Sequence, residues 1–265
     1  MKRPLRVTRW DAVVFLRAAA LAGVALAVAC LITAATDEGG VPWGERAGRT
    51  VPLTPVCAAV GAWGALAPVR ARGEVRALEA LGRSRMQIAV AAIAGAAAIA
   101  LLAAGAVGAL RAVDVTGFYP STSHRNAWRW EGDSFVSPTR GLRVEADGSP
   151  VRVGPPAEAP PLEKTPPAGR AAASLATAFA GVALPMLLAQ LLLERHAGPS
   201  AQQRLGSSGG PGSARWPALA SAAAVVGSLM LFQAAAARLV PALLAALPPA
   251  ALLAFALARY RRGTT

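Results

Sequence analysis

Histidine and cysteine are nearly missing from this 265-residue chain, which holds two of each: His124 and His196, Cys30 and Cys57. No set of His, Cys and acidic residues stands at metal-ligand spacing, and no disulfide framework is implied. Both cysteines lie inside apolar runs, where a small buried hydrophobe is the ordinary reading and a disulfide or redox pair the alternative. Charge is scarce at 15% of residues, against about 25% in soluble domains. With a mean hydropathy of +0.43, that composition argues against a cytosolic globular enzyme. Lysine occurs only as Lys2 and Lys164, and neither follows the glycine that a Walker A loop requires. Nor does any apolar stretch present a His-Glu-x-x-His, a Gly-x-Ser-x-Gly or a pair of aspartates. We therefore expect no catalytic residue, no cofactor and no metal.

What the chain has in abundance is alanine-rich apolar sequence and arginine, with 54% apolar residues and a formal net charge of +13. The cations fall between long apolar runs rather than on one soluble face, so no nucleic-acid partner is expected. A hydrocarbon core about 30 Å thick needs roughly 20 apolar residues of helix. Six uncharged stretches meet or approach that length: 18–36, 51–69, 86–110, 171–193, 216–237 and 239–258. The second is interrupted by Pro52, Pro55 and Pro68, and the last two are separated only by Arg238, which reads as a tight hairpin. Gly95, Gly105 and Gly108 in the third stretch predict close helix–helix approach. With the N-terminus inside, the cytoplasmic segments carry 16 cations against four acids, and the outer segments 11 against ten. The positive-inside rule thus predicts a membrane all-α fold of six transmembrane helices with both termini cytoplasmic. The 19 uncharged residues of the first stretch exceed the 7–15 of a signal peptide, so a retained anchor is expected over a cleaved leader.

The expected organisation has three parts: spans one to three in 1–110, an extramembrane segment in 111–170, and spans four to six in 171–265. In the middle part, alternating residues around Glu131-Gly132-Asp133 and Asp147-Gly148-Ser149 predict three or four short strands, a small β-rich periplasmic insertion. A proline-rich linker follows from Gly154. So short a sheet has little core of its own and is expected to need a partner. Residues 195–215 read as a flexible Gly/Ser-rich cytoplasmic loop.

Between the second and third spans, Val75, Leu78 and Leu81 recur every three residues and give a short helix a narrow apolar stripe. Gly82 suits the left-handed position that ends such a helix. Ser84 and Gln87 form a capping-box pattern that starts the next one. The local chemistry therefore writes helix, break, helix at the cytoplasmic interface. From pattern alone, two readings stand: an interfacial helix that stabilises a hairpin, or a docking elbow.

The same residues resemble the cytoplasmic coupling segment of the LptF/LptG permeases, the membrane subunits of the ABC exporter that extracts lipopolysaccharide from the inner membrane. The family's opening glutamate, and the alanine, glycine and small hydroxyl residue before its third span, match Glu74, Ala80, Gly82 and Ser84. Trp128-x-x-x-Gly132-x-x-Phe135-Val136 is similar to its first periplasmic strands. Ala183-Leu184-Pro185 resembles its fourth span, and Leu239-Val240-Pro241 with Leu247-Pro248 and Arg261-Arg262 its sixth span and tail. The resemblance runs in order over nearly the whole chain. Two departures accompany it: about 60 residues stand where the family carries a β-jellyroll, and Asp37 and Glu38 follow the first span where the family places cations.

The resemblance implies a permease subunit in the bacterial inner (plasma) membrane, moving a lipid or lipopolysaccharide-like envelope component. It would work with a separate cytoplasmic ABC ATPase and with a homologous permease half or a second copy of itself. Glu74, Val75, Leu78, Leu81 and Gly82 would form the coupling site, with Glu74 meeting a cation on the ATPase. A non-transporting membrane anchor or scaffold built on the same helices is the alternative. Arg111 and Arg238 are candidate lipid-headgroup contacts or plain interface anchors; Gln190 and Gln233 either bond across helices or line a lipid path. Arg17 is expected to snorkel to headgroups, and Trp10, Trp43 and Trp216 to sit in interfacial belts.

Overall fold

The structure is a computed structural model that describes residues 8–36, 43–110, 113, 115, 129–137, 142–152, 167–194, 215–237 and 239–262. Helix α1 spans Arg9–Ala35, α2 Trp43–Thr50, α3 Thr54–Ala71, α4 Glu74–Ala80, α5 Arg85–Ala109, α6 Pro167–Glu194, α7 Arg215–Ala236 and α8 Leu247–Arg262. Strands β1 to β4 cover Arg129–Glu131, Ser134–Ser137, Leu142–Val144 and Pro150–Arg152. Six helical segments are long and apolar enough to cross a bilayer: Arg9–Ala35, Trp43–Ala71, Arg85–Ala109, Gly169–Leu193, Trp216–Ala235 and Ala242–Arg261. The chain is a multi-pass, all-α membrane protein.

The boundaries show where local chemistry overrides a count of apolar residues. Helix α1 starts at Arg9, well before the uncharged stretch, because Thr8 and Asp11 form a reciprocal capping box. The second span is built from α2, a 3-10 turn at Val51–Leu53, and α3. The break falls at Pro52 and Pro55, each in the first turn of its own helix, where the missing N–H has no intrahelical partner to lose, whereas α3 continues through Pro68. The last span begins with a 3-10 turn at Ala242–Ala246 rather than at Leu239, and its α-helix starts at Leu247. Pro241 leads into that turn, and Pro248 and Pro249 occupy the next helix's donor-free first turn. Arg238 lies outside the described residues.

The main core gathers Val14 and Ala18 of α1, Ala62 and Leu66 of α3, Ile88 and Ala92 of α5, Ala183 and Met186 of α6, and Leu252 and Ala256 of α8. Small side chains dominate, so backbones lie close together. A Cβ on Gly95 would collide with the Phe15 carbonyl oxygen, and one on Gly61 would stand 2.6 Å from the Ala18 oxygen. Gly108 faces Ser174, as close packing requires, whereas Gly105 has nothing within 4 Å and does not mark a helix contact. Gly61 and Gly64 against α1 and Gly181 against α5 are close approaches to which the sequence alone gives no weight. Both cysteines are free thiols, Cys57 buried and Cys30 half-buried.

Between α5 and α6, the four strands form an antiparallel meander in the order β1-β2-β3-β4, with Trp130 opposite Phe135 and Phe135 opposite Val144. The turns fall at the two expected Gly-containing positions. Among the described residues, none of the sheet joins the bundle's hydrophobic clusters. The strands are only three and four residues long, which leaves the sheet little core of its own.

Candidate functional site

The elbow between α3 and α5 is written by residues a few positions apart. Gly73 precedes α4 with φ of +74°, which lets the chain turn out of α3 at once. At the other end, Gly82 takes φ of +83°. The Gly82 N–H donates to the Glu79 carbonyl and the Arg83 N–H to the Leu78 carbonyl, the two bonds of a Schellman stop. The Ser84 hydroxyl then accepts from the Gln87 amide at 3.3 Å, while the Gln87 side chain accepts from the Ser84 amide at 2.9 Å. Ser84→Ala removes half of this box. It should lower stability by about 1 kcal/mol, seen as earlier thermal unfolding of the purified protein in detergent.

The predicted apolar stripe divides. Val75 is buried and Leu78 is half-buried against the main core, so both fasten α4 to its own bundle. A short amphipathic helix carries the same stripe whether it faces its own core or a partner, and here its first two members face inward. Leu81 is 79% exposed and extends beyond the helix end. Gly82, Arg76, Ala77 and Ala80 are exposed beside it. The outward face of the elbow is therefore Arg76, Ala77, Ala80 and Leu81, rather than the full Val75–Leu78–Leu81 stripe.

Glu74 is half-buried at the start of α4, and its carboxylate accepts from Arg72 Nε. That guanidinium holds its carboxyl below the usual carboxylate range. Trp10 also donates to Glu74, and the Arg17 charge on α1 acts in the same direction. Glu79 pairs with Arg85, whose Nη1 donates to the Leu193 carbonyl at the end of α6, 3.4 Å away. The elbow is consequently tied to α1, α5 and α6.

Sequence reading places Trp10 only in an interfacial belt and gives Asp11 and Arg83 no site role. Trp10 packs against the main core and lies beneath the Arg83 guanidinium, while Asp11 pairs with Arg83. The one local signal was the Thr8-x-x-Asp11 cap, since the partners of Asp11 and Trp10 lie more than 60 positions away. Trp43 and Trp216 are exposed. Arg111 and Arg238 lie outside the described residues.

A second feature is a crevice of about 370 Å³ between α3, α6, α7 and α8, lined by Pro55, Thr177, Leu184, Val225, Phe232 and Leu252 among others. Its walls are apolar, and Gln233 is its exposed polar group near the end of α7. Gln190 takes the other role foreseen for a polar residue in a span: it is buried and donates to the Ala256 carbonyl across the α6–α8 contact at 3.1 Å. Among the described residues, no three His, Cys, Asp or Glu gather where a metal ion could be held. Comparison with protein-family models, with curated proteins and with solved structures finds no match to this chain.

Proposed function

We propose that this chain is the membrane permease subunit of an ABC-type exporter, moving a lipid or lipopolysaccharide-like envelope component with a separate cytoplasmic ATPase. It sits in the bacterial inner membrane with both termini cytoplasmic and the small sheet on the periplasmic side, because that orientation puts 16 of the 27 cations in the inner segments. A homologous half or a second copy completes the cavity. The observation that carries the reading is the elbow: a seven-residue helix stopped on both sides, rooted by Val75 and Leu78, that holds Leu81 out among arginines. A rooted projection of this kind suits a groove on a motor subunit, with Leu81 as the apolar anchor. The apolar crevice between α3, α6, α7 and α8 supports a cargo with hydrocarbon chains.

One observation favours a non-transporting anchor or scaffold. The outer sheet has only 3- and 4-residue strands, which suits holding an envelope partner better than conducting a lipid.

Affinity purification in mild detergent tests the elbow. The wild-type chain should bring down a Walker A-containing ATPase that hydrolyses ATP in the eluate. Leu81→Asp should reduce recovery of that ATPase at least tenfold while leaving its own yield unchanged. Equal recovery with Leu81→Asp overturns the docking role.

A further inference from the structure

Resting on the permease reading, we propose that Trp10, Asp11 and Arg83 form a clasp that makes the cytoplasmic end of α1 move with the elbow. Displacement of the elbow by a motor is thereby passed to the first span as well as to α3 and α5. Covalently the elbow continues only into α3 and α5. The contacting residues of α1 lie more than 60 positions earlier in the chain, and their side chains give α1 a direct link to the elbow.

Those side chains grip α1 beside both ends of α4. Asp11 Oδ1 accepts from Arg83 Nη2 at 2.7 Å, with Arg83 21% and Asp11 13% exposed. The other carboxylate oxygen, Oδ2, accepts from the Thr8 amide at 2.9 Å and the Thr8 hydroxyl at 2.8 Å, so Asp11 is fixed on both sides. The Arg83 guanidinium lies 5.3 Å from the centre of the Trp10 ring, a cation–π distance. Trp10 Nε1 in turn donates to Glu74 Oε2 at 3.4 Å. Arg83 also supplies the backbone N–H of the Schellman stop, so its main chain and side chain are set by the same turn. A shielded, doubly oriented ion pair is a stiff connection, because leaving either partner alone is costly.

Beyond the clasp, α1 packs on α3 and α5 along a narrow line of mostly small residues. Val14, Ala18 and Ala22 are the buried residues of α1, while Val13, Leu16, Val24, Leu31 and Ile32 are exposed. The close contacts of α1 with the bundle, Phe15 on Gly95 and Ala18 on Gly61, lie one to two turns beyond the clasp. Movement of the clasp therefore tilts α1 about these contacts and shifts the exposed apolar face that Val13, Leu16 and Val24 belong to. Trp10, Asp11 and Arg83 are positioning residues that act through the elbow.

The test uses the complex of the chain with its ATPase in nanodiscs, reading ATPase recovery and ATPase stimulation separately. Arg83→Gln should keep recovery near wild type, because Leu81 is untouched, and reduce stimulation about tenfold. An Asp11→Cys/Arg83→Cys pair, in a background with Cys30 and Cys57 replaced by alanine, should behave like Arg83→Gln until a short bis-thiol linker joins the two positions. Joining them should restore stimulation. A role in folding alone would lower yield, recovery and stimulation together, and the linker would rescue none of the coupling. Full stimulation with Arg83→Gln, or a linked pair that stays uncoupled, overturns the clasp. A wild-type chain that recovers no ATPase overturns the permease reading and the clasp together.

Discussion

Gly95→Leu is expected to abolish recovery of a folded, monodisperse protein, whereas Gly105→Leu, ten positions along the same helix, should be recovered at wild-type level. A Cβ at Gly95 would enter the space of the Phe15 carbonyl oxygen, which belongs to the backbone of α1 and cannot rotate away. At Gly105 nothing stands within 4 Å, so a leucine there only adds apolar surface. Overpacking a core commonly costs about 1–3 kcal/mol, and a clash with backbone lies at or beyond the upper end of that range. Here it would separate α1 from α5 where the two backbones meet. Fluorescence-detected size exclusion of the two variants, with thermal unfolding of whatever is recovered, makes the comparison. A Gly95→Leu variant as stable as Gly105→Leu would show that α1 does not pack on α5 through this contact.

The same pair of glycines shows what could be read from the sequence. Apolar runs about 20 residues long announce spans without any tertiary information, and all six are present as helices. Glycine within a run announces room for a neighbour but not which face the neighbour takes. That is why sequence alone groups Gly105 with Gly95 and gives no weight to Gly61, Gly64 or Gly181. Local chemistry was legible in detail: the Gly82 stop, the Ser84–Gln87 box and the two Gly-containing hairpin turns involve residues within five positions of each other. The pairing of Asp11 with Arg83 spans 72 positions and has no local signature. Nor could the direction of the Val75–Leu78 stripe be read, because a helix buries the same stripe in its own core or in a partner's.

Glu74→Ala is expected to abolish ATPase stimulation while leaving the chain in the membrane, and Glu74→Gln tells which of two roles is lost. If Glu74 acts as a charge that meets a cation on the motor, glutamine fails as completely as alanine. Truncating one member of such a buried interfacial pair typically costs about 2–5 kcal/mol, enough to remove the coupled state. If instead Glu74 acts by holding Trp10, glutamine keeps a side-chain oxygen for the indole N–H and should retain most of the stimulation. A carboxylate that merely favours its helix N-terminus is worth about 0.3–1 kcal/mol, and its loss would leave stimulation nearly intact in both variants. The pH dependence adds a constraint of known sign. Arg72 holds the Glu74 carboxyl below its ordinary value of 4.5, so the charge is complete throughout about pH 6–8 and is lost only as pH falls through the lowered value. Stimulation that changed across that window would have to come from another group. The Glu74→Gln profile should accordingly run parallel to wild type there, lower in height under the charge role and nearly level with it under the Trp10 role.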